Sequence, residues 1–170
     1  CTSFSWLQSK ALDTPSLIRL RQFVSAQYTF RKSSTTAGEQ SNSQAAVENL
    51  VKSLGRTMSS GKTILNLYSP DFLLSDGTVI EVNGNFHYTT QLQKRLKSSP
   101  WQDEDLVTVI TTEQSPEERS RRLEGLRAGD LIRYNVMADH GHRVVAVNAM
   151  GLADGGADRM AQLLQQALNT

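Results

Sequence analysis

Cysteine is almost missing: Cys1 is the only one in 170 residues. That excludes an internal disulfide and a Cys-rich metal site, and it permits a reducing or redox-neutral compartment. Long apolar runs are missing as well, and no stretch approaches the ~20 residues that a membrane-spanning helix needs. There is no excess of one charge either. The formal net charge is +1, which gives no global electrostatic case for a polyanionic partner. The distribution says more, because residues 1–62 carry eight Lys and Arg against three Asp and Glu. A basic half of this kind suits phosphate contacts and a solvated surface equally well. The chain starts without an initiating Met and shows no signal-peptide pattern, so it reads as an excised fragment or part of a longer protein. Its length is that of one domain with an appendage, enough for a genuine core.

What is present is a stretch from Ser69 to His87 around which the rest can be arranged. Pro70-Asp71 opens a short apolar run, Phe72-Leu73-Leu74. Ser75-Asp76-Gly77 supplies turn residues, and Gly accepts the positive φ of hairpin turns at no steric cost. Thr78-Val79-Ile80-Glu81-Val82 is β-branched enough to be the return strand. The hairpin brings Asp71 near Glu81, and two carboxylates at one sheet edge have the hard oxygen ligands that Mg²⁺ takes. Asn83, Asn85 and His87 follow at alternating positions and share a side if the strand continues, although Gly84 interrupts it. A solvated Asp and Glu on an ordinary hairpin is the alternative, so the flanking chain has to decide.

Before the hairpin, Thr14 to about Phe30 has apolar residues at helical spacing, with Thr14 as cap and Pro15 at the first helical position. This segment, residues 1–30, is either a helix docked on the domain or the end of an upstream helical region. Residues 31–44 have too little apolar content to pack and are expected to be a flexible linker. Ser43 to Leu54 forms the next helix, with Val47, Leu50, Val51 and Leu54 in one stripe and Gly55 as its stop. Thr63 to Tyr68 is expected to be a strand leading into Pro70-Asp71.

After the hairpin, Tyr88 to Leu96 is helical, Trp101 to Asp105 a loop, and Leu106 to Ile110 a β-type run. Ser115-Pro116-Glu117-Glu118 is a helix-start signal, and Gly129 to Met137 fits another helix. Arg143 to Val147 is a strand, and Leu152 to Leu168 a last amphipathic helix. A helix, three strands, a helix, a strand and a helix predict an α/β sandwich.

Pro70-Asp71 followed after a turn by Glu81-x-Asn83 resembles the PD-(D/E)XK nuclease-like core, in which active members have Glu-x-Lys. More narrowly, Glu81-Val82-Asn83-Gly84-Asn85-Phe86-His87 resembles the Glu-Val-Asp-Gly-Pro-x-His signature of RAP domains, RNA-binding domains abundant in apicomplexans, and of relatives of the very-short-patch-repair endonucleases. Asn83 stands where that signature has Asp, and Asn85 where it often has Pro. The closing pattern is also similar: Arg121-Arg122-Leu123-Glu124-Gly125, then Arg133, then Gly141-His142-Arg143-Val144-Val145 and a final helix.

The resemblance implies a restriction-endonuclease-like α/β fold, a central mixed β-sheet flanked by helices. It spans a domain over residues 45–170, with an insertion at about 89–118. It implies a degenerate nuclease-like site of Asp71, Glu81, Asn83 and His87. Mg²⁺ would be held by Asp71 and Glu81, with Glu48 of the first helix as a further acidic candidate. Neutral Asn83 supplies no ammonium for developing charge, whereas His87 would serve as general acid or base, as His does in the short-patch-repair relatives. The implied function is RNA binding within a mitochondrial (or other organellar) RNA-processing or ribosome-assembly protein. Lys94, Arg95, Arg121, Arg122, Arg127 and Arg133 are the candidate RNA contacts. The alternatives are an active Mg²⁺-dependent endoribonuclease using Asp71, Glu81 and His87, and a protein-interaction domain within a ribonucleoprotein.

Overall fold

The computed structural model describes residues 42–152 and 156–169. The expected helical segment 1–30 and most of the expected linker lie outside them. Helix α1 runs from Asn42 to Ser53, so the last positions assigned to the linker are helical instead. Gly55, at φ 72°, ends this helix in the left-handed region.

Five strands form one mixed sheet: β1 (Met58–Ser59), β2 (Phe72–Leu74), β3 (Val79–Asn83), β4 (Val107–Ile110) and β5 (Val144–Asn148), in the order β1-β2-β3-β5-β4. Only β3 and β5 are parallel; the other neighbours are antiparallel. All five residues of β3 and of β5 are buried, as central strands covered on both faces must be. The β2–β3 connection is the expected one. Gly77 stands at φ 88°, its N–H donates to the Leu74 carbonyl, and the Asp76 carboxylate accepts from the Thr78 N–H.

Alternation along the strands sorts side chains into two cores. One face packs Phe72, Ile80, Val82, Val145 and Val147 against Val47 and Val51 of α1 and against Met160, Leu163 and Leu164 of the last helix, α6 (Ala157–Asn169). The other packs Val79, Val144 and Ala146 against Ile132, Val136 and Met137 of helix α5 (Ala128–Asp139). Among the described residues no helix is long and apolar enough to cross a membrane.

Two expectations are corrected. Thr63 to Tyr68 is not a strand: Leu65 and Asn66 both adopt φ 52°, and the chain folds back so that Ile64 and Tyr68 bridge each other. Both are buried, so the apolar run serves the core without extending. Trp101 to Asp105 is not all loop. After helix α2 (Thr90–Ser98), a short helix α3 (Asp103–Leu106) forms, and the Asp105 carboxylate accepts from the Gln102 N–H at its start. Of the expected Leu106–Ile110 run, Val107–Ile110 becomes a strand, β4, at the outer edge of the sheet beyond β5, while Leu106 ends α3. Ser115 caps helix α4 (Pro116–Arg122) as its sequence signal indicates, its hydroxyl accepting from Glu118 N–H.

The segment 89–118 is tied into the fold. Trp101 Nε1 donates to the Leu96 carbonyl, Leu106 and Val107 are core residues, and a β-carbon at Gly151 would collide with Leu106 Cδ2.

Candidate functional site

The register Phe72↔Ile80 and Leu73↔Val79, continued by one residue, sets Asp71 directly across from Glu81. Alternation puts Glu81 and Asn83 on the same face as Val79, the face covered by α5. Directly opposed like charges on one face repel, and two adjustments relieve this pair. Asp71 is tied at both oxygens: Oδ1 accepts from Gln44 Nε2 at 2.7 Å and Oδ2 from the Val82 N–H at 2.7 Å. Glu81, 2% exposed, gives up its charge instead. Burial, first of all, pushes its carboxyl up to about 8. Arg133 opposes that rise, while the charges of Asp71 and Asp130 and a hydrogen bond shared with Asp71 add to it. At neutral pH Glu81 is therefore mostly protonated, and its Oε1 is buried with no hydrogen-bond partner.

The cation beside this pair comes from the protein. Arg133 projects from α5 with Nη2 at 3.4 Å from Glu81 Oε2 and 2.9 Å from Asp130 Oδ1. Its guanidinium carbon lies 5.3 Å from the centre of the Tyr134 ring. Burial alone would lower the Arg133 pKa, but Glu81, Tyr134 and Asp130 outweigh burial and raise it. Asp130 continues the series: its Oδ2 lies 2.7 Å from His87 Nδ1. A string of polar side chains thus runs from Asp71 through Glu81, Arg133 and Asp130 to His87, whose ring is the most exposed end.

Asn83 is fully buried. Its Oδ1 accepts from the Tyr134 hydroxyl at 2.8 Å, whereas its Nδ2 is buried with no hydrogen-bond partner. Burial pushes Tyr134 and Tyr88 up, so each remains a neutral hydroxyl. Asn83 is a buried structural amide, out of reach of any phosphate. The alternation expected of Asn83, Asn85 and His87 does not occur, because β3 stops at Asn83 and Asn85–His87 is a single 3-10 turn. That turn swings His87 back towards α5.

The remaining candidates are scattered. Glu48 pairs with Lys52 at 2.7 Å along α1. Arg95 pairs with Asp105, Arg121 with Glu104 at 3.0 Å, and Arg122 with Glu118 at 3.0 Å. Arg133 belongs to the acidic string. Arg127 donates Nε to the Tyr88 carbonyl at 3.1 Å and is otherwise exposed. Lys94 is exposed with no ion pair among the described residues. The six cations therefore do not make one free surface; Lys94 and Arg127 are the two without an acidic partner. Reading the sequence missed Gln44, Tyr88, Asp130 and Tyr134. Asp130 had a signal, standing one helical turn before Arg133. Gln44 had none.

The residues present do not fit Mg²⁺. Among the described residues no group of three or more His, Cys, Asp or Glu side chains is arranged to hold a metal ion. Both Asp71 oxygens already accept hydrogen bonds, and a guanidinium is the local cation.

No protein-family model matches the chain, and no curated protein or solved structure is significantly similar to it.

Proposed function

We propose that the described domain is an RNA-binding module on a restriction-endonuclease-like scaffold, one that holds RNA without cleaving it, within an organellar RNA-processing or ribosome-assembly protein. The element order supports the scaffold: a helix, three antiparallel strands and, after the edge strand β4, a last strand, β5, parallel to the third. The opposition of Asp71 and Glu81 across β2 and β3 supports the same reading. The observation that carries the loss of cleavage is Arg133, 17% exposed at its side chain and set against Glu81. A nuclease of this type needs ionised carboxylates around a divalent metal to polarise phosphate and activate water. Here burial favours the protonated form of Glu81 and the positive charge beside it is an arginine. RNA binding itself rests on the motif resemblance and on the cations that face solvent, Lys94 and Arg127.

The test uses the 170-residue chain and labelled single-stranded RNA, with Mg²⁺ or with chelator. Retention of full-length RNA in both conditions, weakening steeply with added salt as phosphate contacts do, supports the reading. Mg²⁺-dependent cleavage lost in Asp71→Ala or Glu81→Ala would replace it with the endonuclease. Weak retention insensitive to salt would favour a protein-interaction domain. The mitochondrial setting is tested by imaging the tagged full-length protein.

A further inference from the structure

Phe86 is 81% exposed, the one large hydrophobic side chain left at the surface among the described residues. We infer that its ring is a stacking platform for an unpaired base of single-stranded RNA, with Arg127 and Lys97 taking the adjacent phosphates. This rests on the RNA-binding reading and names where the strand lies.

Three features carry the inference. The first is the rigidity of the mount. The turn Asn85–His87 closes with His87 N–H on the Gly84 carbonyl at 3.1 Å and Tyr88 N–H on the Asn85 carbonyl at 3.3 Å. Gln93 Nε2 of α2 then clamps it through the Asn85 and Tyr88 carbonyls, at 2.9 and 3.0 Å. From the other side the Arg127 N–H donates to the His87 carbonyl at 2.9 Å. An aromatic ring on a backbone tied from both sides loses little freedom when a base settles on it.

The second feature is what surrounds the ring. Arg127 has only its Nε engaged, on the Tyr88 carbonyl, which leaves its terminal nitrogens for a phosphate. Lys97 is exposed and one helical turn beyond Gln93, on the side of α2 that meets the Phe86 turn. Neither cation has an ion pair among the described residues. The third feature is what is missing around it. A protein-docking surface has a contiguous apolar core; here, among the described residues, the exposed large hydrophobic is a single ring. Stacking accepts any base because every base has a π-face, and cationic side chains then hold the backbone.

The experiment measures binding of the 170-residue chain to a fluorescein-labelled 12-nucleotide oligouridylate and to a blunt RNA duplex. Phe86→Ala and Phe86→Leu should each weaken oligouridylate binding on the order of tenfold or more, with unchanged melting temperature. Phe86→Trp should retain binding, with its indole fluorescence quenched as RNA is added, and the duplex should bind less well than the single strand. Equal oligouridylate affinity in Phe86→Ala and the parent overturns the inference while leaving RNA binding intact. An unquenched Phe86→Trp at saturating RNA overturns it too. If the parent chain binds neither RNA, the underlying reading falls first. If Phe86→Ala changes only self-association by sedimentation, the ring is a protein contact and the proposal is wrong.

Discussion

Arg133 and Arg121 carry the same guanidinium and both sit beside carboxylates, yet their surroundings make them different objects. Arg121 meets Glu104 at 3.0 Å with both side chains about half exposed. Water and salt screen such a pair, and holding two long side chains together costs entropy, so the contact is easily lost. Arg133 is enclosed between β3 and α5, with Glu81 almost fully buried against it. There the charge cannot be handed to solvent: Arg133 opposes the burial that pushes the Glu81 carboxyl up, and Asp130 divides its oxygens between Arg133 and His87. Burial, not residue type, decides which arginine has consequences.

The sharpest way to break this contrast is Arg133→Met. Removing one partner of a buried pair costs about 3–5 kcal/mol, to be read from urea denaturation at pH 7. Adding Asp130→Asn should recover part of the loss, because less uncompensated charge is left inside.

Next in size is the pH response of Glu81. Its carboxyl rises from the ordinary glutamate value of 4.5 to about 8 in the fold. Between those values the unfolded chain has released this proton and the folded chain has not. The contribution is thus complete below pH 4.5 and declines as pH rises, levelling off above about 8. One group changes stability by about 1.4 kcal/mol per pH unit at most, a few kcal/mol over the window. The measurement is unfolding of the parent chain and of Glu81→Gln across the range. Glu81→Gln should gain on the parent steadily as pH rises; parallel curves would show that Glu81 is ionised in the fold.

A smaller effect is expected of Tyr134→Phe. It leaves the Asn83 carbonyl without the hydroxyl 2.8 Å away and should cost about 1–3 kcal/mol, again by urea denaturation. At the weak end, Arg121→Ala should leave the thermal midpoint unchanged within error at physiological salt. A clear drop there would mean that the Glu104 contact is part of a larger network and that the contrast with Arg133 is overdrawn.

How much could be read beforehand follows the range of each interaction. The β2–β3 hairpin, the Ser115 cap and the valine-rich β5 are governed by neighbours in sequence, and all are where the residues indicate. The opposition of Asp71 and Glu81 was legible for the same reason, since a short turn sets the register. Leu65 and Asn66 were not, because two left-handed residues in an apolar run contradict local preference; the Ile64–Tyr68 hydrogen bonds close the turn and Leu65 packs against the core. The cluster partners were hidden by distance along the chain. Gln44 is 27 residues from Asp71, Asp130 is 43 from His87, and Tyr134 is 51 from Asn83. Charge patterning likewise overrated the surface arginines, because Glu104 and Asp105 arrive from another element.

The outermost strand, β4, has one more implication. It comes from a segment that looked like an optional extra, yet it hydrogen-bonds along β5 from Val107↔Val147 to Ile110↔Val144. A trimmed chain without it would leave β5 with a bare row of amides and carbonyls, an adhesive margin for a neighbouring molecule. Shortening this protein to a minimal version would therefore invite strand-to-strand polymers, and loop-grafting designs should begin outside this segment.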